Sequence, residues 1–434
     1  MATAWEFKII RDPIHGYIGL TKQEVELLDT QPMQRLRRIK QLANAHLVYP
    51  GAVHTRFDHS LGTLHVAHRL ACQLGFDESQ TKLVRLAALV HDVGHAAFSH
   101  VGEKALLAFS PDSPPDAHQL VTLQIVQDHP EFKRVLGDQL QAVVECLNSK
   151  QPTVETAVVS GPLDADKLDY LLRDSYFAGV KYGVFDLERI LHKVQVVRSG
   201  NESYIGVASK AKDALESYRL ARYLMHAQVY QHHARLAADG MLIRAIRLAA
   251  ERNKLPAAAF KLQQGKVQDL NQYLRFDDFT LLTTLRDCDD RQIAGLAQRL
   301  EGRRLFKLAW ELDLTEFKSR NVLASDRLNK LLADTRRISE VETSLAGEAG
   351  CAPEFVILMP QTIKNPLYRL PGTPLGDLGE RLLIVADDGR TLPLDEISPL
   401  AVKSTLFSER LLLYGPEDFR QQLRAAAEAW LKSV

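Results

Sequence analysis

The stretch HDVGHAAFSH, residues 91–100, decides how this chain is read. It closes an apolar run, TKLVRLAALVHD (81–92), in which Leu83, Leu86, Ala87 and Val90 recur at i, i+3, i+4 and i+7. That spacing is the stripe of a buried helix. Gly94 then reads as the glycine that stops the helix. His91 and Asp92 therefore stand at the end of a core helix, where a carboxylate is costly unless it is paired or holds a cation. An isolated His-Asp pair is weak evidence. Three histidines in ten residues (His91, His95 and His100) are a stronger sign, because surface composition seldom concentrates them so.

Working outward, His59 lies in RFDHSLG at the start of another helical stretch, and Asp166 in PLDADKLDYLLRD at the start of a third. His59, His91, Asp92 and Asp166 make a mixed nitrogen and oxygen donor set. Such a set suits Fe, Mn, Zn or Ni, and Mg less well. An octahedral ion held this way keeps positions open for water and a phosphate oxygen, whose chemistry it promotes. The residues alone thus point to a metal-dependent phosphohydrolase.

The rest of the chain bounds that reading. Its 434 residues suffice for one large domain or two to three ordinary ones. Lys+Arg and Asp+Glu are equal at 54 each, so net charge argues for no nucleic-acid partner. Cys72, Cys146, Cys288 and Cys351 are scattered without a CxxC pair, which excludes a zinc ribbon and argues for a reducing cytoplasm. MATAWEFKIIRDP has no apolar signal-peptide core, and no run of about 18 apolar residues suggests a membrane span.

The expected fold is mainly α: a helical core with small β-hairpins and a C-terminal α+β lobe. Residues 5–20 read as a hairpin, 192–207 as a strand pair around an SGN turn, and 213–250 as long and helical. Residues 257–346 read as helical and charged, and 354–420 mix strand-like runs with turns. The expected segments are 1–250, a helical extension 251–350, and a regulatory or oligomerisation lobe 351–434.

Three segments, HTRFDHSLG (54–62), HDVGHAAFSH (91–100) and DADKLDYLLRD (164–174), in this order resemble the signature of the HD-domain superfamily. More narrowly they are similar to its dNTP triphosphohydrolase branch, which includes bacterial dNTPases and the mammalian sterile-alpha-motif/HD-domain enzyme. DPIHGYIGL (12–20) and MQRLRRIKQL (33–42) also look like that branch. The similarity runs from about residue 6 to 235, and no sterile-alpha-motif segment is recognisable in it.

The resemblance implies an HD helical core and cleavage of a dNTP to a deoxynucleoside and triphosphate. It implies His59, His91, Asp92 and Asp166 as ligands of a divalent metal (Mn, Fe, Mg, Zn or Ni). His95, His118 and His100 match active-site histidines, with Glu103 as the acidic partner; a loop histidine at the surface is the competing reading of His118. Arg56, Lys167 and Arg222 match phosphate contacts. Gln41, Leu42, Tyr170, Asp174, His226, Tyr230 and Gln231 match sugar and base contacts. Tyr170 and Asp174 follow Asp166 at i+4 and i+8, on one helix face. Arg222, His226 and Tyr230 repeat that spacing.

Lys8, Asp29, Gln34, Arg37, Val48, Tyr49, Arg189 and Lys210 match an allosteric nucleotide site, implying a nucleotide activator and a homo-oligomer, dimer or tetramer. Ala208 and Ala214 depart from that site's pattern. The competing reading of QRLRRIKQL is an amphipathic helix with a solvated basic face. Two rival functions stand beside the dNTPase: an HD phosphodiesterase or nuclease, and a non-catalytic oligomer that binds nucleotide, RNA or single-stranded nucleic acid. The filled metal positions weigh against the second.

Overall fold

Thr55 starts the helix on which the fold is organised. Its hydroxyl accepts from the Asp58 amide, and the Asp58 carboxylate accepts from the Thr55 amide at 2.8 Å, a reciprocal cap. The helix runs Arg56–Leu74 and packs against Glu78–Val90 and Ala165–Ala178. Gly62 permits the second contact. A Cβ there would lie 1.9 Å from Asp169 Oδ1 and 2.3 Å from Arg173 Nη2, so no side chain fits. The computed structural model describes residues 7–110, 117–148, 153–199, 202–362, 381–398 and 409–433.

The fold is mainly α with small sheets, as expected. It divides into two compact units that alternate along the chain. The first comprises Met1–Met225, Pro256–Leu281 and Leu367–Ser404; the second, His226–Leu255, Leu282–Pro366 and Thr405–Val434. The segments 1–250, 251–350 and 351–434 divide the chain linearly, whereas these units do not.

In the first unit, strands Lys8–Asp12 and Gly16–Leu20 form the expected hairpin. Val194–Ser199 pairs with Glu202–Ala208, and Leu383–Val385 then joins parallel to the latter. Helix Glu78–Val90 opens on an Asp77–Gln80 cap and buries Val84, Leu86, Ala87, Leu89 and Val90; Leu83 is only half-buried.

Two expectations about this unit are corrected. The helix ends at Val90, and Gly94 does not cap it with a left-handed turn. Its role is close approach: a Cβ would stand 2.2 Å from the Thr122 amide and 2.5 Å from the His118 carbonyl. Nor does QRLRRIKQL form one amphipathic helix. The α-helix covers only Gln31–Arg35, followed by a 3₁₀ turn, Leu36–Arg38. Arg35 is 1% exposed and donates to the carbonyls of His95 (2.8 Å) and Phe276 (2.9 Å). Arg38 pairs with Asp277 and Lys40 with Asp278. Partners far away in sequence turn Arg35 inward, whereas Arg37 and Arg38 remain exposed.

The second unit holds a three-stranded antiparallel sheet, with Glu409–Gly415 between Lys307–Asp313 and Ile357–Thr362. Leu358, Leu411 and Leu413 pack with Leu345, Ala346, Leu423 and Ala427, the core of an α+β lobe. The strand Lys307–Asp313 interrupts the region expected to be wholly helical. The 213–250 stretch is also divided: α-helix Lys212–Met225, a π-helical turn His226–Tyr230, then α-helix His233–Glu251.

Candidate metal centre

Three helix ends deliver the donors. His59 sits in the first turn of Arg56–Leu74, His91 follows the end of Glu78–Val90, and Asp166 is in the first turn of Ala165–Ala178, which Asp164 caps. His59, His91 and Asp166 each place a ligand atom within 4.8 Å of the others. His59 Nε2 is 3.0 Å from Asp166 Oδ1, and His91 Nε2 is 3.8 Å from it. Asp92 adds oxygens 3.3 Å from His91 Nε2 and 3.7 Å from His59 Nε2. Donors about 2.1 Å from one ion stand about 3.0 Å apart in neighbouring positions and about 4.2 Å across it. All four separations fall between these limits. His91 Nε2 is buried and makes no hydrogen bond, while its Nδ1 is 2.8 Å from the Ala88 carbonyl. A nitrogen so placed fits a divalent cation.

Asp92 is shared. Its Oδ2 pairs with Arg56 Nη1 at 2.5 Å, and its Oδ1 is 3.2 Å from His95 Nε2. Beyond it lies a second cluster: His95, His100 and His118 bring their Nδ1 atoms to 3.2, 2.8 and 3.1 Å from one oxygen of Glu103. The His95 and His118 rings stack at 4.2 Å, so His118 is a member of this cluster and not a loop histidine at the surface.

Against this geometry, the HD domain family matches residues 56–174, and the HD associated region matches 185–433. The chain belongs to the HD-domain superfamily. An uncharacterized protein of Methanocaldococcus jannaschii is 32% identical over 96% of this chain and 81% of its own length. The deoxynucleoside triphosphate triphosphohydrolase SAMHD1 of Xenopus laevis is 26% identical over 81% of this chain, which spans 62% of that protein. The crystal structure of a phosphohydrolase from Bacteroides thetaiotaomicron superposes with a TM-score of 0.71 at 25% identity, covering 94% of this chain and 99% of that one.

The charges of the HD centre are set by burial and by partners. Burial alone would lower the His59 pKa, but hydrogen bonds to Asp166 and Asp169 outweigh it and push it up to about 10 in the metal-free protein. Burial likewise opposes ionisation of Asp92, yet Arg56, His91 and His95 hold it well below the carboxylate range. Burial, then Arg56 and His118, push His95 down to about 4, so its imidazole is neutral at pH 7.

Other predicted residues are placed as follows. Arg56 is 4% exposed; its Nη1 pairs with Asp92 and its Nε donates to the Ser99 hydroxyl. Lys167 Nζ is 2.5 Å from Asp164. Tyr170, Asp174 and Asp166 share the Ala165–Ala178 helix; burial raises the Tyr170 pKa to about 12, and His54 Nε2 is 2.8 Å from Asp174. Arg222 hydrogen bonds with Tyr170. Gln41 and Leu42 are both buried. His226, Tyr230 and Gln231 lie in the second unit, where the first two rings meet edge-on at 4.9 Å and the Gln231 amide donates to the His226 carbonyl.

Of the residues matched to a second nucleotide site, Gln34 accepts from Arg37 Nε at 3.0 Å and Arg189 donates to the Lys210 carbonyl at 2.8 Å. Arg37 also lies over the Phe57 ring. Lys8 and Asp29 are exposed, and Val48 and Tyr49 half-buried.

Sequence reading missed Asp169. It is fully buried, 2.7 Å from His59 Nδ1 and 2.7 Å from His15 Nε2, and takes both Nε and Nη2 of Arg173. Its signal was present: Arg173 follows at i+4, the spacing of a helical ion pair.

The backbone of the motif is strained. Phe98 and Ser99 adopt φ of 59° and 53°, which cost of order 1–3 kcal/mol each in a non-glycine residue. Asp278 accepts from the Phe98 amide, and the Ser99 hydroxyl donates to the Lys40 carbonyl. These bonds hold the turn that launches His100–Phe109 with Glu103.

Proposed function

We propose that this protein hydrolyses deoxynucleoside triphosphates to a deoxynucleoside and inorganic triphosphate, with a divalent cation held by His59, His91, Asp92 and Asp166. The observation that carries the reading is the convergence of His59, His91 and Asp166 beside the His95–Glu103–His118 cluster, with Asp92 between them. The similarity to SAMHD1 supports the substrate class. A cation in this donor set lowers the pKa of a water and offsets charge on a phosphate oxygen.

In the net reaction, water oxygen bonds to the α-phosphorus, the Pα–O5′ bond breaks and the 5′-oxygen leaves with a proton. Lys167 and Arg222 set positive charge where phosphate oxygens gain negative charge. His95 is neutral and can take a proton, with Glu103 orienting the histidines around it. His118 and His100 share that carboxylate and extend the path for the proton toward the leaving oxygen. Asp174 accepts from the 3′-hydroxyl, with Gln41 beside it. Leu42 and Tyr170 against C2′ leave no room for a 2′-hydroxyl. Activation by a guanine nucleotide on a homo-oligomer, through the Gln34–Arg37 and Arg189–Lys210 pairs, belongs to the same proposal.

The test is a panel of dNTPs, NTPs, single-stranded DNA and RNA with Mg²⁺, Mn²⁺ or Fe²⁺, with and without GTP. Release of triphosphate from dNTPs, lost with chelator and in Asp166→Ala, is expected. Cleavage confined to DNA or RNA would replace the dNTPase reading with a nuclease.

A further inference from the structure

We propose that His54 is a positioning residue: it holds Asp174 and Gln41, the pair that would read the 3′-hydroxyl, in one fixed relation. The inference rests on the roles of those two residues given above. His54 directly precedes the Thr55 cap and bonds in two directions. Its Nε2 is 2.8 Å from Asp174 Oδ1. Its carbonyl accepts from the Gln41 amide at 3.0 Å. The segment that carries Gln41 is further tied to this stretch. Lys40 pairs antiparallel with Thr55, and the Arg56 amide donates to the Ile39 carbonyl at 2.9 Å. One residue thus joins the two segments that supply Gln41 and Asp174.

An ionised carboxylate only accepts, so His54 Nε2 carries the proton and donates to Asp174. Its Nδ1 is buried and makes no hydrogen bond among the described residues, which leaves Asp174 as the ring's polar partner. The ring stacks on Phe177 at 4.7 Å. A Cβ on Gly51 would lie 2.5 Å from the Phe177 carbonyl oxygen, so this loop is pressed against the end of the helix that carries Asp174. His54 is 3% exposed, and a ring so enclosed keeps one orientation. With Oδ1 anchored to it, the whole Asp174 carboxylate is fixed.

Gln41 supplies an independent sign of a ligand. It is 7% exposed, and its Oε1 is buried without a hydrogen bond among the described residues. An unmet buried polar atom is costly, and a hydroxyl of a bound molecule meets it. A hydroxyl has one proton to give and lone pairs to receive. With the Gln41 amide turned over about its last bond, its N–H donates to the hydroxyl, and the hydroxyl proton goes to Asp174. Both bonds form only if Gln41 and Asp174 stand at the right separation, which His54 sets.

The experiment compares a deoxynucleoside triphosphate with its 2′,3′-dideoxy analogue, in kcat/KM and in binding with the metal chelated. His54→Phe keeps a ring against Phe177 and removes the donor. His54→Asn keeps an amide that is too short to reach the place of Nε2. Each should shrink the preference for the 3′-hydroxyl at least about tenfold, the scale of a hydrogen bond to a charged group. His54→Gln, whose amide reaches as far as Nε2, should retain most of it. Mn²⁺ affinity should stay at the wild-type value in all three, which also checks that each variant is folded. A histidine that only stabilises the fold would lower urea stability in Phe and Asn variants and leave the preference unchanged. That result, or a wild type without preference for the 3′-hydroxyl, overturns the proposal. A wild type that binds the deoxy compound more tightly yet cleaves neither keeps this role for His54 and sinks the dNTPase reading instead.

Discussion

The Nδ1 atom of His59 lies 2.7 Å from Asp169, a buried carboxylate locked by Arg173 and His15. This contact turns the opposite nitrogen, Nε2, toward Asp166 and Asp92. A carboxylate behind a metal-binding histidine fixes its orientation, and losing it costs about 10–100-fold in metal affinity. Asp169→Ala should lower Mn²⁺ affinity by that factor. Asp169→Asn, which can still accept from Nδ1, should fall between. Titration calorimetry below the variants' melting temperatures checks the order; equal affinity in all three would contradict it.

Gly94 should tolerate no side chain. Alanine there meets the Thr122 amide and the His118 carbonyl, which are backbone atoms and cannot rotate away. Gly94→Ala should cost about 1–3 kcal/mol, the usual range for overpacking. It should also lower turnover, because the displaced helix carries His118. Urea unfolding and steady-state kinetics measure the two effects.

Acid stability should depend on His65. Burial, then His15 and Arg69, push its pKa down to about 3. The folded state keeps it neutral, whereas the unfolded chain takes up a proton below about pH 6.5. The group's contribution is thus full above pH 6.5 and is lost as pH falls toward 3, by at most about 1.4 kcal/mol per unit. Between pH 6 and 4.5 the wild type should lose stability faster than His65→Gln. Parallel curves of unfolding free energy against pH would refute this.

Sugar selection should reside in Leu42 and Tyr170. Shortening Leu42 to alanine should narrow the dNTP over NTP preference in kcat/KM by roughly tenfold, the scale of a small steric change in an apolar pocket. An unchanged ratio would place selection elsewhere.

Much of this was legible because the signals were local. The hairpin around Gly16, the apolar stripe before His91, and the residue types at His59 and Asp166 are all readable within a turn or two. Their convergence is not, since it depends on how three helices pack, and Gly62 is where two of them meet. Arg35 looked like a surface charge because its partners, the carbonyls of His95 and Phe276, are 60 and 241 residues away. The parallel pairing of Gly206–Ala208 with Leu383–Val385 has no local mark either. Asp169 was overlooked because its neighbours Asp166 and Tyr170 drew the chemistry, and only the His15 and His59 contacts show its place.

Hydrolysis of a dNTP in ¹⁸O-water, with the protein loaded with Mn²⁺, tests the central claim most directly. Attack at the α-phosphorus with departure of the 5′-oxygen predicts unlabelled deoxynucleoside and inorganic triphosphate carrying one ¹⁸O. Deoxynucleoside monophosphate and pyrophosphate as the products would contradict it.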